Sequence, residues 1–145
     1  MKKILISACL LGCPTRYDGR SKPCDAAIAL GKKYLLVPIC PEAFGGLPTP
    51  RVPAERVGDA VITREGVDVT ENYIRGAEAS VRFAKMMNIN LAVLKERSPA
   101  CGVGKIYDGT HTGTLTDGYG VTAELLMKNG IRVIGESEID KIEEK

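Results

Sequence analysis

The segment Lys3-Ile4-Leu5-Ile6-Ser7-Ala8-Cys9 holds an apolar run too short for a helix and ends in a thiol. Buried strands have this length and this share of β-branched residues. Three further runs match it: Tyr34 to Ile39 (YLLVPI), Asn90 to Leu94 (NLAVL) and Ile131 to Ile134 (IRVI). Between them the pattern turns helical. Asp25 is placed to cap a helix that runs to Leu30 and stops at Gly31. Thr70 to Met87 carries Tyr73, Ile74, Ala77, Val81 and Ala84 at spacings of three and four, which gathers them on one face. Tyr119 to Lys128 is a third helix, closed by Asn129-Gly130. This alternation predicts an α/β fold, a three-layer open sheet of about four mainly parallel strands with flanking helices. Val61-Ile62-Thr63 and Val67-Asp68-Val69, split by Arg64-Glu65-Gly66, predict a small inserted hairpin before the long helix. Gly45 to Pro53 (GGLPTPRVP) and Ser98 to Gly118 predict long loops of the kind that carry function.

The 145 residues are 44% hydrophobic and 26% charged, which suits a single domain over 1–145 with a core of its own. Twenty basic against eighteen acidic side chains leave a formal net charge of +2, and aromatics make up 5% with no Trp. Neither a phosphate-tracking basic stripe nor a base-stacking platform fits that balance, so no stable nucleic-acid partner is expected. A lone histidine, His111, excludes sites built on paired imidazoles, and its Thr- and Gly-rich surroundings predict an exposed ring. After Lys2-Lys3 only Ile4, Leu5 and Ile6 precede Ser7, short of the roughly 7 to 15 apolar residues of a secretory signal. No run approaches the ~18 residues of a membrane span. The chain reads as cytoplasmic, where clustered cysteines serve metals, clusters or catalysis rather than disulfides.

Five cysteines then need explaining. In an open parallel sheet, ligands bind beyond the carboxyl ends of the strands. Cys9 directly follows the first predicted strand, Cys40 the second, and Cys101 lies a few residues past the third. The fold therefore delivers three thiols to one edge. A free cysteine also packs as a small hydrophobe, a reading that suits each one singly better than three at corresponding strand ends. Zinc is one candidate occupant. Closed zinc sites, however, use four ligands and close pairs such as CxxC, which this chain lacks; Cys13 or Cys24 would have to supply a further thiolate, or His111 a nitrogen. A [4Fe–4S] cluster suits soft thiolates from distant loops better. Held by three cysteines, it keeps one iron open to substrate, as a catalytic zinc keeps an open position.

Several ordered blocks carry a resemblance. Ser7-Ala8-Cys9-Leu10-Leu11-Gly12, Arg16-Tyr17-Asp18-Gly19, Cys40-Pro41-Glu42, Gly45-Gly46-Leu47-Pro48-Thr49-Pro50-Arg51 and Lys95-Glu96-Arg97-Ser98-Pro99-Ala100-Cys101-Gly102 resemble the signature blocks of the thiouracil desulfidase family. The resemblance runs from about Met1 to Gly135, with Ala100 where many members carry Ser. It implies an α/β fold and a [4Fe–4S] cluster on Cys9, Cys40 and Cys101, with Cys13 and Cys24 outside the ligand set. It also implies non-redox removal of sulfur from a thiolated pyrimidine base or nucleotide such as 4-thiouracil, the substrate sulfur meeting the open iron.

Around such a centre, Glu42, two residues after Cys40, is the candidate proton donor or base; a carboxylate there also suits a helix start. Ser98, three residues before Cys101, is placed to orient a water or bond the ring, or simply to make a Ser-Pro turn. Without a nearby histidine it is a poor hydrolase nucleophile. Lys95 is a candidate ligand for a substrate anion, and Arg16, Arg51 and Lys105 for a nucleotide phosphate; each alone also reads as solvated charge. Gly102-Val103-Gly104-Lys105 is no Walker loop, since Pro99 and Ile106 stand where that loop needs Gly and Ser or Thr. Two other readings use the same cysteines: a sulfur carrier or transferase in thionucleoside biosynthesis, and a zinc-stabilised structural module. The sequence leaves the natural substrate and the oligomeric state open.

Overall fold

The computed structural model describes residues 2–144. In chain order its strands are β1 (Lys3–Ser7), β2 (Leu35–Ile39), β3 (Ala54–Val57), β4 (Ala60–Thr63), β5 (Leu91–Leu94), β6 (Lys105–Tyr107), β7 (Leu115–Asp117) and β8 (Arg132–Gly135). The α-helices are α1 (Asp25–Ala29), α2 (Pro41–Phe44), α3 (Thr70–Met86) and α4 (Val121–Lys128). Short 3-10 segments at Ala8–Leu11, Leu30–Lys32 and Glu136–Glu144 complete the path.

Strands β2, β1, β5 and β8 form one sheet in that order, parallel throughout. Buried on both faces, the inner strand β1 is apolar without alternation, and Ile4, Leu5 and Ile6 are wholly inaccessible. Leu5 joins Tyr73, Val81, Ala84, Ala123 and Leu126 of α3 and α4 on one face. On the other face, Ile4 and Ile6 meet Ala27, Leu30, Ile139 and Ile142. Three layers result, as the alternation of strands and helices predicts. The chain runs outward from β1 in both directions, so the order reverses between β1 and β5. Open sheets leave a ligand crevice at such a point.

Helix α3 departs from its predicted face. Tyr73, Ala77, Val81 and Ala84 are buried, but Gly76 and Ser80 join them while Ile74 stays 43% exposed. The cause is α2, which lies directly on the helix. A Cβ added at Gly76 would sit 1.9 Å from the Pro41 carbonyl oxygen, and one at Gly45 would sit 2.0 Å from that of Asn72. The buried seam is turned toward this contact and away from Ile74.

The insert also differs from its expected form. Its hairpin pairs β3 with β4 around Gly58 (φ +60°) and Asp59. The predicted pairing with Val67-Asp68-Val69 is present too but short: Asp68 bridges Ile62, the Thr63 amide donates to the Val67 carbonyl at 2.8 Å and the Val69 amide to the Val61 carbonyl at 2.9 Å, before the chain enters α3 at Thr70. Charged Glu55 and Arg56 hid β3 from the hydrophobic pattern. Within the predicted 98–118 loop, β6 and β7 form a second antiparallel hairpin, invisible to the pattern because every residue of β7 is exposed. Two helix starts shift as well. Cys24, not Asp25, holds the N-cap position of α1, and α4 begins at Val121, since the Gly120 amide donates to the Gly102 carbonyl at 2.9 Å.

In a helix interior Gly→Ala ordinarily gains about 1 kcal/mol. Gly76→Ala is expected to lose about 2 kcal/mol instead, because overpacking against a backbone atom outweighs propensity. Thermal unfolding should show a Tm lower by several degrees, whereas Glu78→Ala on the exposed face of α3 should leave it nearly unchanged.

Candidate active site

A cleft of about 450 Å³ opens where β1, β2 and β5 end, and Cys9, Cys40 and Cys101 all line it. Every cysteine of the chain is a free thiol. Cys9 sits in the 3-10 turn that β1 feeds, closed by Gly12 in the left-handed region (φ +99°). Cys40 is the N-cap residue of α2, and its thiol donates to the Thr15 carbonyl at 3.8 Å. Cys101 lies in a turn built by Ser98, whose Oγ accepts the amides of Ala100 and Cys101, each at 3.1 Å. Ser7 at the end of β1 accepts the Lys95 amide at 2.9 Å and bonds the Cys101 side chain with its hydroxyl.

Burial pushes the Cys9 thiol up to about 11; Lys95 opposes the shift and Cys40 adds to it. Burial raises Cys101 too, against the Ser7 hydrogen bond, with Glu42, Cys9 and Cys40 adding to the rise. The three thiols thus sit within each other's electrostatic reach. Among the described residues, no three His, Cys, Asp or Glu side chains converge closely enough to hold a single metal ion. Three thiols from separate loops are soft donors of the kind that iron–sulfur clusters use. Cys13 and Cys24 do not line the cleft; Cys24 packs against the core cluster around Ile4 and Ile6.

Glu42, in the first turn of α2, reaches the same cleft. Its Oε2 accepts the Tyr73 hydroxyl at 2.6 Å and its Oε1 an Arg51 Nη2 hydrogen at 3.2 Å. Burial, with Glu42 alongside, pushes Tyr73 ionisation far above its ordinary range, so the phenol stays a donor. Arg51 also lines the cleft, yet its side chain is only 5% exposed. Lys95 pairs with Glu136 at 3.2 Å and donates to the Glu96 carbonyl. Arg16 is more open, 3.9 Å from Asp18 with its guanidinium over the Tyr17 ring. Ser98 keeps its hydroxyl hydrogen after accepting two amides. Lys105 does not line the cleft and pairs with Asp117.

His111 is not the exposed ring expected of it. Its side chain is 20% exposed and its Nδ1 lies 3.7 Å from Glu55 Oε2. Glu55 draws the hairpin tip inward by accepting the amides of Gly109 and His111 at 2.9 and 3.1 Å. Ser7, Glu55, Glu136 and the Tyr73 hydroxyl are site groups that pattern reading passed over. Only Tyr73 carried a signal: a tyrosine on the apolar face of a helix must find a partner for its hydroxyl.

The chain was compared with known proteins. The family model described as 2-thiouracil desulfurase matches residues 4–138. A protein of Bacillus subtilis (strain 168) described as uncharacterized protein YbbK is 42% identical over 149 aligned residues, covering 96% of this chain and 99% of its own length. A solved structure described as the [4Fe-4S]-dependent thiouracil desulfidase TudS superposes with a TM-score of 0.92 at 46% identity, covering 97% of this chain and 95% of its own. The chain belongs to the 2-thiouracil desulfurase family.

Proposed function

We propose that this protein exchanges the sulfur of a thiolated pyrimidine for oxygen, on 4-thiouracil or its nucleotides, using a [4Fe–4S] cluster held by Cys9, Cys40 and Cys101. The balance is thiocarbonyl plus water giving carbonyl plus hydrogen sulfide, with no electrons transferred. The observation that carries this reading is three free thiols, from three separate strand ends, bordering one cleft that also holds Glu42. Family membership and the likeness to TudS support the substrate class and the cofactor. Held by Cys9, Cys40 and Cys101, the cluster would supply Lewis acidity toward the thiocarbonyl sulfur at an iron those three cysteines leave unligated.

The chain's own residues do the rest. Glu42, held at both oxygens, takes a proton from the attacking water and returns it to the departing sulfur. Ser98, its Oγ fixed by two amides, offers its remaining hydrogen to that water or to the ring oxygen. Arg16 lends positive charge to the cleft for an anionic substrate, whereas the charge of Lys95 is shared with Glu136.

Anaerobic reconstitution followed by metal analysis tests the centre: about four iron and four sulfide per chain are expected, with broad absorbance near ~400 nm. Cys9→Ser, Cys40→Ser and Cys101→Ser should each lose the iron, while Cys13→Ser and Cys24→Ser keep it. Loaded protein should release sulfide from 4-thiouracil or its nucleotides with no reductant present. An absolute need for electrons, or sulfide that leaves only to a thiol-accepting nucleoside, would overturn the reading.

The raised thiols also tie the metal-free protein to pH. A thiol at 9.0 when unfolded and about 11 when folded holds its proton longer in the fold. Its stabilising effect is whole below pH 9 and is lost as pH rises through about 11, at most roughly 3 kcal/mol for the ~2-unit difference. Denaturant titrations at pH 8 and pH 10.5 should show metal-free protein losing stability over that interval, with Cys9→Ser losing distinctly less.

A further inference from the structure

Glu42 is gripped from two sides by groups of different origin. Tyr73, 2% exposed on α3, donates to Oε2 at 2.6 Å. Arg51, from the loop before β3, donates to Oε1 at 3.2 Å. The guanidinium has no donor to spare for a ligand. Its Nη1 hydrogens go to the Pro48 carbonyl at 3.2 Å and Thr49 Oγ1 at 3.0 Å. Its Nη2 hydrogens go to the Thr15 carbonyl at 2.8 Å and to Glu42. The remaining Nε–H is buried, with no acceptor among the described residues.

Thr15 links this hub to the thiols, since its carbonyl also accepts from Cys40 at 3.8 Å. One guanidinium therefore fixes the turn that packs on Cys40 and one oxygen of the carboxylate two residues later. A glutamate has three rotatable bonds, and an unrestrained carboxylate would sample many directions at the cleft wall. With each oxygen already holding one donor, the lone pairs that remain are aimed rather than averaged, which is what proton transfer at a set atom requires.

We propose that Arg51 and Tyr73 are positioning residues that brace Glu42 at its two oxygens, and that Arg51 is not the phosphate ligand its sequence context suggests. The proposal rests on Glu42 acting in the desulfidase reaction described above. A brace and a phosphate ligand differ in kinetics. Losing a brace lowers turnover on every substrate, whereas losing a phosphate contact weakens binding of nucleotides alone.

Tyr73→Phe, Arg51→Met and Arg51→Lys, each loaded with cluster, are to be assayed on 4-thiouracil and on 4-thiouridine monophosphate. Expected is a fall in kcat of about tenfold for Tyr73→Phe and more for Arg51→Met, alike on both substrates, with KM within about twofold and wild-type iron content. Arg51→Lys should remain low, because an ammonium cannot reproduce the forked contacts. A rise in KM confined to the nucleotide, or an unchanged kcat in Tyr73→Phe, overturns the proposal. Should Arg51→Met lose iron, Tyr73→Phe decides. A second arm needs no cluster. In metal-free protein carrying 3-fluorotyrosine, the fluorine resonance that disappears in Tyr73→Phe should move on Glu42→Gln and on Arg51→Met; a resonance that stays put overturns the brace. If wild-type protein releases no sulfide from either substrate, the desulfidase reading fails, and the fluorine arm still tests the contact by itself.

Discussion

Backbone meets backbone where α2 crosses α3, and the cleft takes its shape from that contact. Four residues cannot hold a helix by themselves, so α2 owes its position to what it lies on. Gly76 offers no Cβ against the Pro41 carbonyl and Gly45 none against that of Asn72. Asn72 adds a side-chain bond to the Gly45 carbonyl at 2.9 Å. This close approach sets Cys40, at the head of α2, level with the thiols that leave β1 and follow β5. It also brings Glu42 within reach of a hydroxyl from α3. Any side chain in the seam would move Cys40 and Glu42 together.

The opposite wall rests on a second close approach at a glycine, here against a side chain rather than backbone. Glu96, just past β5, fills the space that a side chain at Gly135 would take, an added Cβ there lying 2.1 Å from Glu96 Oε2. The Ser137 amide and hydroxyl close on that same oxygen, while Glu136 accepts the Glu96 amide and pairs with Lys95. Charged groups around the cleft are thus largely spent on one another. The thiols are not. Sulfur makes weak hydrogen bonds, so little holds the Cys40 and Cys101 thiols to Thr15 and Ser7. With thiol pKa values raised by burial, ligation of the proposed cluster would have to release protons.

Much of the fold was legible because the sheet is buried on both faces. Continuous apolar runs marked β1, β2, β5 and β8 to within a residue or two, and helical spacing marked α3. What escaped was structure whose residues follow no core. β3 carries Glu55 toward the β6–β7 loop and Arg56 toward Glu124 on α4, and β7 faces solvent on every residue. Gly58-Asp59 and Arg64-Glu65-Gly66 both make turns, so Val61-Ile62-Thr63 pairs with β3 on one side and with Val67-Asp68-Val69 on the other, and only the second pairing follows the apolar pattern. Ile74 was misassigned because periodicity gives the width of an apolar face but not the neighbour that defines its centre.

The site was legible in a different way and stopped at a different point. Strand ends are topological landmarks, so Cys9, Cys40 and Cys101 could be brought to one edge without knowledge of any contact. Charged side chains have no such landmark. Arg51 and Lys95 stand in sequence as two cations near a candidate anion site, and the structure gives each a carboxylate partner instead. The difference lies in bookkeeping of donors that no linear pattern records. An arginine has five N–H groups in a fixed fork, and its role follows from how many remain once the fold has taken its share. For Arg51 that share includes every Nη hydrogen, with the fifth N–H sealed inside the protein. Arg16 has only a loose contact to Asp18, at 3.9 Å, and its side chain is 31% exposed. Two residues that read alike in sequence therefore differ in what the fold has left them, one with its Nη hydrogens committed to the frame around Glu42 and the other still open at the cleft.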